Sequence, residues 1–512
     1  MMLSELHQLN DGFVNNRSTG SFMAIKSKDD SLDTLTAEVN PRDAGRQPYV
    51  VKACGISVDF SRQRVSAEIL SSLSRLADER SLLASHRKMA AGEIVNTSEG
   101  RAALHMSLRA FSPKAPHFEE VSAERSRLYE FARRVRCGEW RGCRGHRIKS
   151  VINIGIGGSA VGPQCVWHAL RPAVSDIDIH FLSAVDGVLL ERILSSCEAK
   201  STLVIVSSKS FTTRETNVNA DAVDQWLLEN GIVGADRAKH IVVVSANPKA
   251  AEIFGLPEEN LFKFWNWVGG RFSVWGAIGL PVLIGLGEEI FTEFLRGAEE
   301  MDRHSLSAPV LENLPALLAL LEYRNAVELD VGSLCVLPYD ERLNMIVPWL
   351  QQLEMESLGK SSDIDGKPIT HRTGLPVWGG NGDEAQHSFG QWLREGTGST
   401  AIDVIWPEIP GHRFAPHYRC LVSNAKAQCE ALVTRPCASD KFNVLTALTL
   451  DALVPRRIGA LMALYEHKTT MLATLFDVNA FDQPGVEYGK KLSREVEREV
   501  VSERRHEECS AV

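Results

Sequence analysis

The sequence predicts an α/β protein built on parallel sheets with helices on both faces, and three observations carry that reading. From residue 149 onward, four short β-branched runs (SVINI, DIDIHFL, STLVIVSS and KHIVVVS) each end in polar or small residues. Helical segments such as GVLLERILSSC and NADAVDQWLLENG fall between them. Parallel strands need such crossovers, and covering helices bury both faces of the sheet. The same strand character returns after Glu288, near SLCVLPYD (333–340) and STAIDVIWPEI (399–409). A second α/β unit is therefore expected there, followed by a helical C-terminal part. Two three-layer α/β/α domains with helical N-terminal and C-terminal extensions follow, divided as 1–118, 119–287 and 288–512.

Along the chain, residues 1 to about 45 are polar and read as a loosely attached arm. Val65, Ile69, Leu73 and Leu76 recur at near-helical spacing and predict a helix over roughly Ser61–Arg87. The cap-rich Asn96-Thr97-Ser98 predicts another helix through EGRAALHMSLRAF. Alternating charges across Glu119–Arg147 suit solvated helix faces. The apolar run Val274–Gly287 is too short and too broken by Gly and Pro to span a membrane, which takes about 20 residues. Val486–Glu508 reads as a charged amphipathic helix.

Composition narrows the function. The chain has 512 residues, 44% of them hydrophobic, enough for sizeable cores. Its 56 basic and 65 acidic residues give a net charge of −9, so no global basic field serves nucleic acid or an anionic membrane. An anionic ligand must be held by local donors. The 10 cysteines show no C-x-x-C pair, which argues against a disulfide framework or a zinc ribbon. The opening MMLSELHQLNDGF lacks the apolar core of a secretory leader, and a soluble cytoplasmic chain is expected.

Gly155-Ile-Gly157-Gly158-Ser159-Ala160 follows a strand and opens a helix, where backbone N–H groups and the Ser159 hydroxyl can hold an anion. The same residues satisfy a dinucleotide fingerprint with alanine third. That alternative wants an acidic residue at the next strand end, about 20 residues on, whereas Asp186 lies 31 residues after Gly155. A plain tight turn would also explain two of the glycines. The next strand end weighs against both. Ser207–Thr216 packs six hydroxyls and two cations into ten residues, among them Ser208, Lys209, Ser210 and Thr213. A parallel sheet opens its ligand crevice at the carboxyl ends of its strands, so this loop should lie beside Gly158 and Ser159. In isolation it could merely cap a helix. Together the two loops suit one terminal phosphate.

Further segments accumulate in order: Phe264–Ser273 (FWNWVGGRFS), Met355–Lys360 (MESLGK), Gly382–Phe389 (GDEAQHSF) and Phe481–Lys490 (FDQPGVEYGK). With GIGGS and SSKSFTTRET, they make the chain resemble the phosphoglucose isomerases from about Asn96 to Lys491. The family's usual polar residue after M-E-S is Leu358 here, and its G-N-R-P-[ST] motif is missing beyond Glu430. The resemblance implies two sugar-isomerase (SIS) domains and a homodimer with shared active sites. It also implies reversible conversion of glucose 6-phosphate and fructose 6-phosphate, through ring opening and an enediol, in glycolysis and gluconeogenesis.

The chemistry asks for a base that carries a proton between C2 and C1, and a carboxylate can do so from one position. A glutamate's ordinary pKa near 4.3 makes a weak base toward carbon, so preorganised positive charge must stabilise the oxyanion. The resemblance maps Glu356 as the base, Arg271 as the cation, Gln352 as a substrate hydroxyl contact and Lys490 as a ring-opening residue. A guanidinium stabilises charge without surrendering its proton. His387 can donate or accept in ring opening near neutral pH. Taken singly, His387 would pass for a structural histidine, and Lys490 and Glu356 for surface charge. No metal or cofactor is expected, since no H-x-H or H-E-x-x-H spacing occurs. Three other classes compete. A nicotinamide dehydrogenase leaves SSKSFTTRET unexplained. A sugar-phosphate-binding regulatory module need not keep Glu356, Arg271, His387 and Lys490 together. A metal-dependent isomerase lacks clustered ligands.

Overall fold

In the computed structural model, β1 (Val50–Ala53) and β2 (Ile56–Arg62) form an antiparallel hairpin. The model describes residues 49–211, 213–434, 441–486, 488–489, 492–493 and 495–496, all within the unit Asn40–Val512. The single helix expected over 61–87 is two helices, Ala67–Glu79 and Leu82–Ala91. Ser66 caps the first, its Oγ accepting from the Ile69 N–H at 3.3 Å. Ser81, at φ 51°, breaks the chain between them. Ile69, Leu73 and Ala77 are the face that the first helix buries.

The helix expected from Asn96 does not form. β3 (Ile94–Asn96) and β4 (Arg101–Ala102) make a short hairpin, and His105–Arg109 is a 3₁₀ turn. The polar groups read as caps are engaged over long range instead. Ser98 Oγ donates to Asp482 Oδ2 at 2.7 Å, and Asn479 Nδ2 donates to Asn96 Oδ1 at 2.9 Å. Helix Phe118–Cys137 follows and ends at Gly138 in the left-handed region.

The first sheet comprises β5 (Ser150–Ile154), β6 (Asp178–Leu182), β7 (Thr202–Ser207), β8 (Ile241–Ser245) and β9 (Leu261–Lys263). Its order is β6-β5-β7-β8-β9, and every pairing is parallel. Every residue of β5, β7 and β8 is buried, as expected of strands covered on both faces. β9 has only three residues, too few for a sequence period to reveal.

The second sheet contains β10 (Leu334–Pro338), β11 (Val377–Gly379), β12 (Thr400–Pro407) and β13 (Asn443–Leu450), with the N-terminal hairpin added. The order is β1-β2-β13-β12-β10-β11, parallel except where β2 meets β13 and β1. β13 falls in the stretch read from sequence as helical, and the structure corrects it. Its residues are buried on both faces, and so short an apolar run carries no period to separate strand from helix. Helices Glu288–Ser307, Leu314–Val327 and Pro455–Phe476 pack around this sheet, the last buried along most of its length. Val274–Gly287 is core, ending in helix Leu280–Leu286, and no described helix is long and apolar enough to cross a membrane. The predicted tail helix Val486–Glu508 lies mostly outside the described residues.

Candidate active site

Gly157–Ser159 forms a 3₁₀ turn at the carboxyl end of β5, and Val161–Leu170 continues as helix. Gly157 has φ +57°, and a Cβ there would stand 3.0 Å from Gln352 Nε2. A Cβ on Gly158 would lie 2.2 Å from the Gly270 carbonyl carbon and oxygen. The glycines therefore let this turn press against both the Gly270–Phe272 turn and Gln352.

β5 and β7 are neighbours in register (Ile154 opposite Val206), so the turns after them open side by side. Buried Asn153 joins them, donating from Nδ2 to the Ser159 carbonyl at 3.2 Å and accepting from Ser207 Oγ at 3.2 Å. Ser208 is buried, and its Oγ accepts from the Phe211 N–H at 3.1 Å, which leaves its own proton to donate. Thr213 stands at the N-terminus of helix Arg214–Glu229 and does not cap it with its side chain. Ser210 is exposed beside them. If Ser208 and Thr213 hold a phosphate, each alanine substitution should weaken inorganic phosphate inhibition by about 1.5–3 kcal/mol. Unchanged inhibition in both variants would reduce the loop to a structural turn.

Lys209 Nζ donates to the carbonyls of Asn266 (3.0 Å) and Val268 (2.9 Å), tying the hydroxyl loop to the stretch before Gly270. Two of its three donors are thereby used. Burial pulls this ammonium down to about 8, so it loses charge as pH rises through that value. Inorganic phosphate inhibition should accordingly weaken above about pH 8 in the wild type and lose that dependence in Lys209→Met. A wild-type profile that is flat across this range would remove Lys209 from the anion site.

Arg271 is 6% exposed and fixed by the protein. Its Nε donates to Ser357 Oγ at 2.7 Å and Nη1 to Gln483 Oε1 at 3.1 Å. Nη2 donates to the carbonyls of Ala480 and Asp482. Burial lowers its pKa, against the opposing charges of Glu356 and Asp482. Nη1 also stands 3.5 Å from Glu356 Oε1. Glu356 Oε2 accepts from Gln352 Nε2 at 3.1 Å. Gln352 lies within, and Glu356 directly after, a π-helical turn, Gln351–Met355, of a kind that frequently occurs at functional sites. Lys360 Nζ donates to the Glu356 carbonyl (3.0 Å) and the Asp482 carbonyl (2.9 Å), binding the end of that helix to the 480–483 segment.

The fold thus brings Gly158, Arg271, Gln352 and Glu356 together, with Ser159, Ser208 and Lys209 on the adjoining strand ends. His387 does not join them within this chain. It ends helix Gly382–Gln386 with its side chain exposed. Lys490 lies outside the described residues. Sequence reasoning missed Asn153, Ser357, Lys360, Asp482 and Gln483 as positioning groups. For Asn153 the signal was a polar residue inside an apolar strand, which must find partners when buried.

A parallel sheet with a glycine turn and a hydroxyl-rich loop at adjoining strand ends, and a helical glutamate beside a fixed arginine, is the arrangement of a sugar-isomerase (SIS) type α/β enzyme. The chain belongs to the phosphoglucose isomerase family, whose model matches residues 59–511. It is 44% identical over 493 residues to the glucose-6-phosphate isomerase of Burkholderia multivorans, covering 92% of this chain and 91% of that protein. It is 41% identical over 505 residues to that of Paraburkholderia xenovorans, covering 94% and 93% respectively. The crystal structure of a glucose-6-phosphate isomerase from Chlamydia trachomatis superposes with a TM-score of 0.82 at 29% identity, covering 93% of this chain and 96% of that one.

Proposed function

We infer that this chain interconverts D-glucose 6-phosphate and D-fructose 6-phosphate, with Glu356 as the proton carrier. The observation that carries the reading is the Glu356 carboxylate 3.5 Å from an Arg271 guanidinium that the protein already holds in place. Substrate phosphate sits at the turns of Gly158–Ser159 and Ser208–Thr213. His387 and Lys490 open the ring, moving the C1 hydroxyl proton and supplying one to the ring oxygen. Glu356 then removes the C2 proton, and the electron pair forms the C1–C2 double bond as charge passes to O1. Arg271 faces that charge and is fixed before the reaction starts, so little reorganisation is needed. O1 takes up a proton and O2 gives one up, and Glu356 returns its proton to C1 to leave the ketose. Gln352 orients a substrate hydroxyl.

The chain works as a cytoplasmic homodimer with shared sites, without nucleic acid or membrane partners, and its domains divide at 119–287 and 288–512. Support comes from the net charge of −9 and from the exposure of His387, which stands apart from Arg271, Gln352 and Glu356 in the single chain. A coupled assay for glucose 6-phosphate formed from fructose 6-phosphate tests the activity. Turnover is expected; its absence in folded protein would refute the assignment.

A further inference from the structure

The turn that carries Gln352 and precedes Glu356 is gripped from its other side. Glu354, in the middle of the π turn, is 1% exposed, and its Oε1 accepts from Lys468 Nζ at 2.9 Å. Lys468 belongs to helix Pro455–Phe476 and also pairs at 2.5 Å with Glu322 Oε2, from helix Leu314–Val327. Asp403 of β12 acts on the same ammonium and accepts from Tyr465 OH at 2.9 Å. Burial pushes the Glu354 carboxyl up while Lys468 opposes it, and in either protonation state an oxygen remains to accept the ammonium's hydrogen bond.

Stability alone is a poor reason for three carboxyl groups around one buried ammonium. Well-packed apolar side chains commonly replace such clusters with little loss, and often with a gain. What they would not supply is a directed tether for residue 354. On a helix, residues two positions before and after 354 project to the opposite side, and there Gln352 and Glu356 meet the arginine.

We propose that Lys468 and Glu354 are positioning residues: their contact sets the rotation of the Gln351–Met355 turn and so places Gln352 and Glu356 against Arg271. This rests on Glu356 being the base, a reading that Glu356→Gln tests separately. The experiment compares kcat, KM, phosphate inhibition and Tm in three variants. Glu354→Ala removes the tether and should lower kcat on the order of 10²-fold, with a much smaller change in KM through Gln352 and in phosphate inhibition, because Ser208 and Thr213 follow a strand of the other sheet. Glu354→Gln keeps an oxygen for Lys468 and should recover most of kcat. Glu354→Met with Lys468→Met removes the ions as a pair, so the chain should fold with Tm close to wild type yet remain as slow as Glu354→Ala. Wild-type kcat in the folded double variant would overturn the proposal. So would a Glu354→Gln variant as slow as Glu354→Ala.

Discussion

Glu356→Gln should lower kcat by about 10²–10⁴-fold, with KM for fructose 6-phosphate and inhibition by inorganic phosphate close to wild type. The amide keeps the shape of the carboxylate and can still meet Gln352 and Arg271, both within 3.5 Å of it. It cannot accept a proton from C2. Binding should be left intact, because the proposed phosphate site lies elsewhere, at the turns after β5 and β7. A fall in kcat/KM caused wholly by KM would instead make Glu356 a binding residue.

Mixing inactive Glu356→Gln with inactive His387→Ala should restore activity once subunits reassort. His387 is exposed in the single chain and touches none of the candidate site, so the resemblance-based expectation is that it completes the neighbouring subunit's site. In each two-fold heterodimer one composite site would then be intact and the other would carry both lesions. Random reassortment makes about half the dimers mixed, so about a quarter of all sites should be wild type. If His387 serves its own chain, every site keeps one lesion and nothing returns. A tagged subunit confirms reassortment in either case.

The parts of the fold legible in the sequence are those whose signals are local. Strands β5 to β8 announce themselves through β-branched runs and terminal polar residues, and their parallel order puts the glycine turn beside the hydroxyl loop. β13 was missed because burial on both faces erases its period. The hairpin at Asn96 was missed because its polar groups find partners at Asn479 and Asp482, over 380 residues away in sequence. The same limit applies at the site. Glu356, Arg271 and Gln352 stood out through resemblance, but the contacts that hold them (Ser357 to Arg271, Lys360 to Asp482, Lys468 to Glu354) join segments whose meeting only the fold reveals. The hydroxyl-rich loop suggests Lys209 as an anion ligand, and its two bonds to the carbonyls before Gly270 add a structural duty that the sequence does not announce.

The central claim, that Glu356 moves a proton through an enediolate, is tested most directly in deuterium oxide. Wild-type enzyme is given fructose 6-phosphate, and deuterium at C2 of the glucose 6-phosphate formed is read by nuclear magnetic resonance. A carboxyl that holds the proton between two carbons exchanges it with solvent, so deuterium should enter C2 in the wild type and not in Glu356→Gln. Wild-type turnover with no deuterium at C2, or undiminished incorporation in Glu356→Gln, would contradict the proton shuttle.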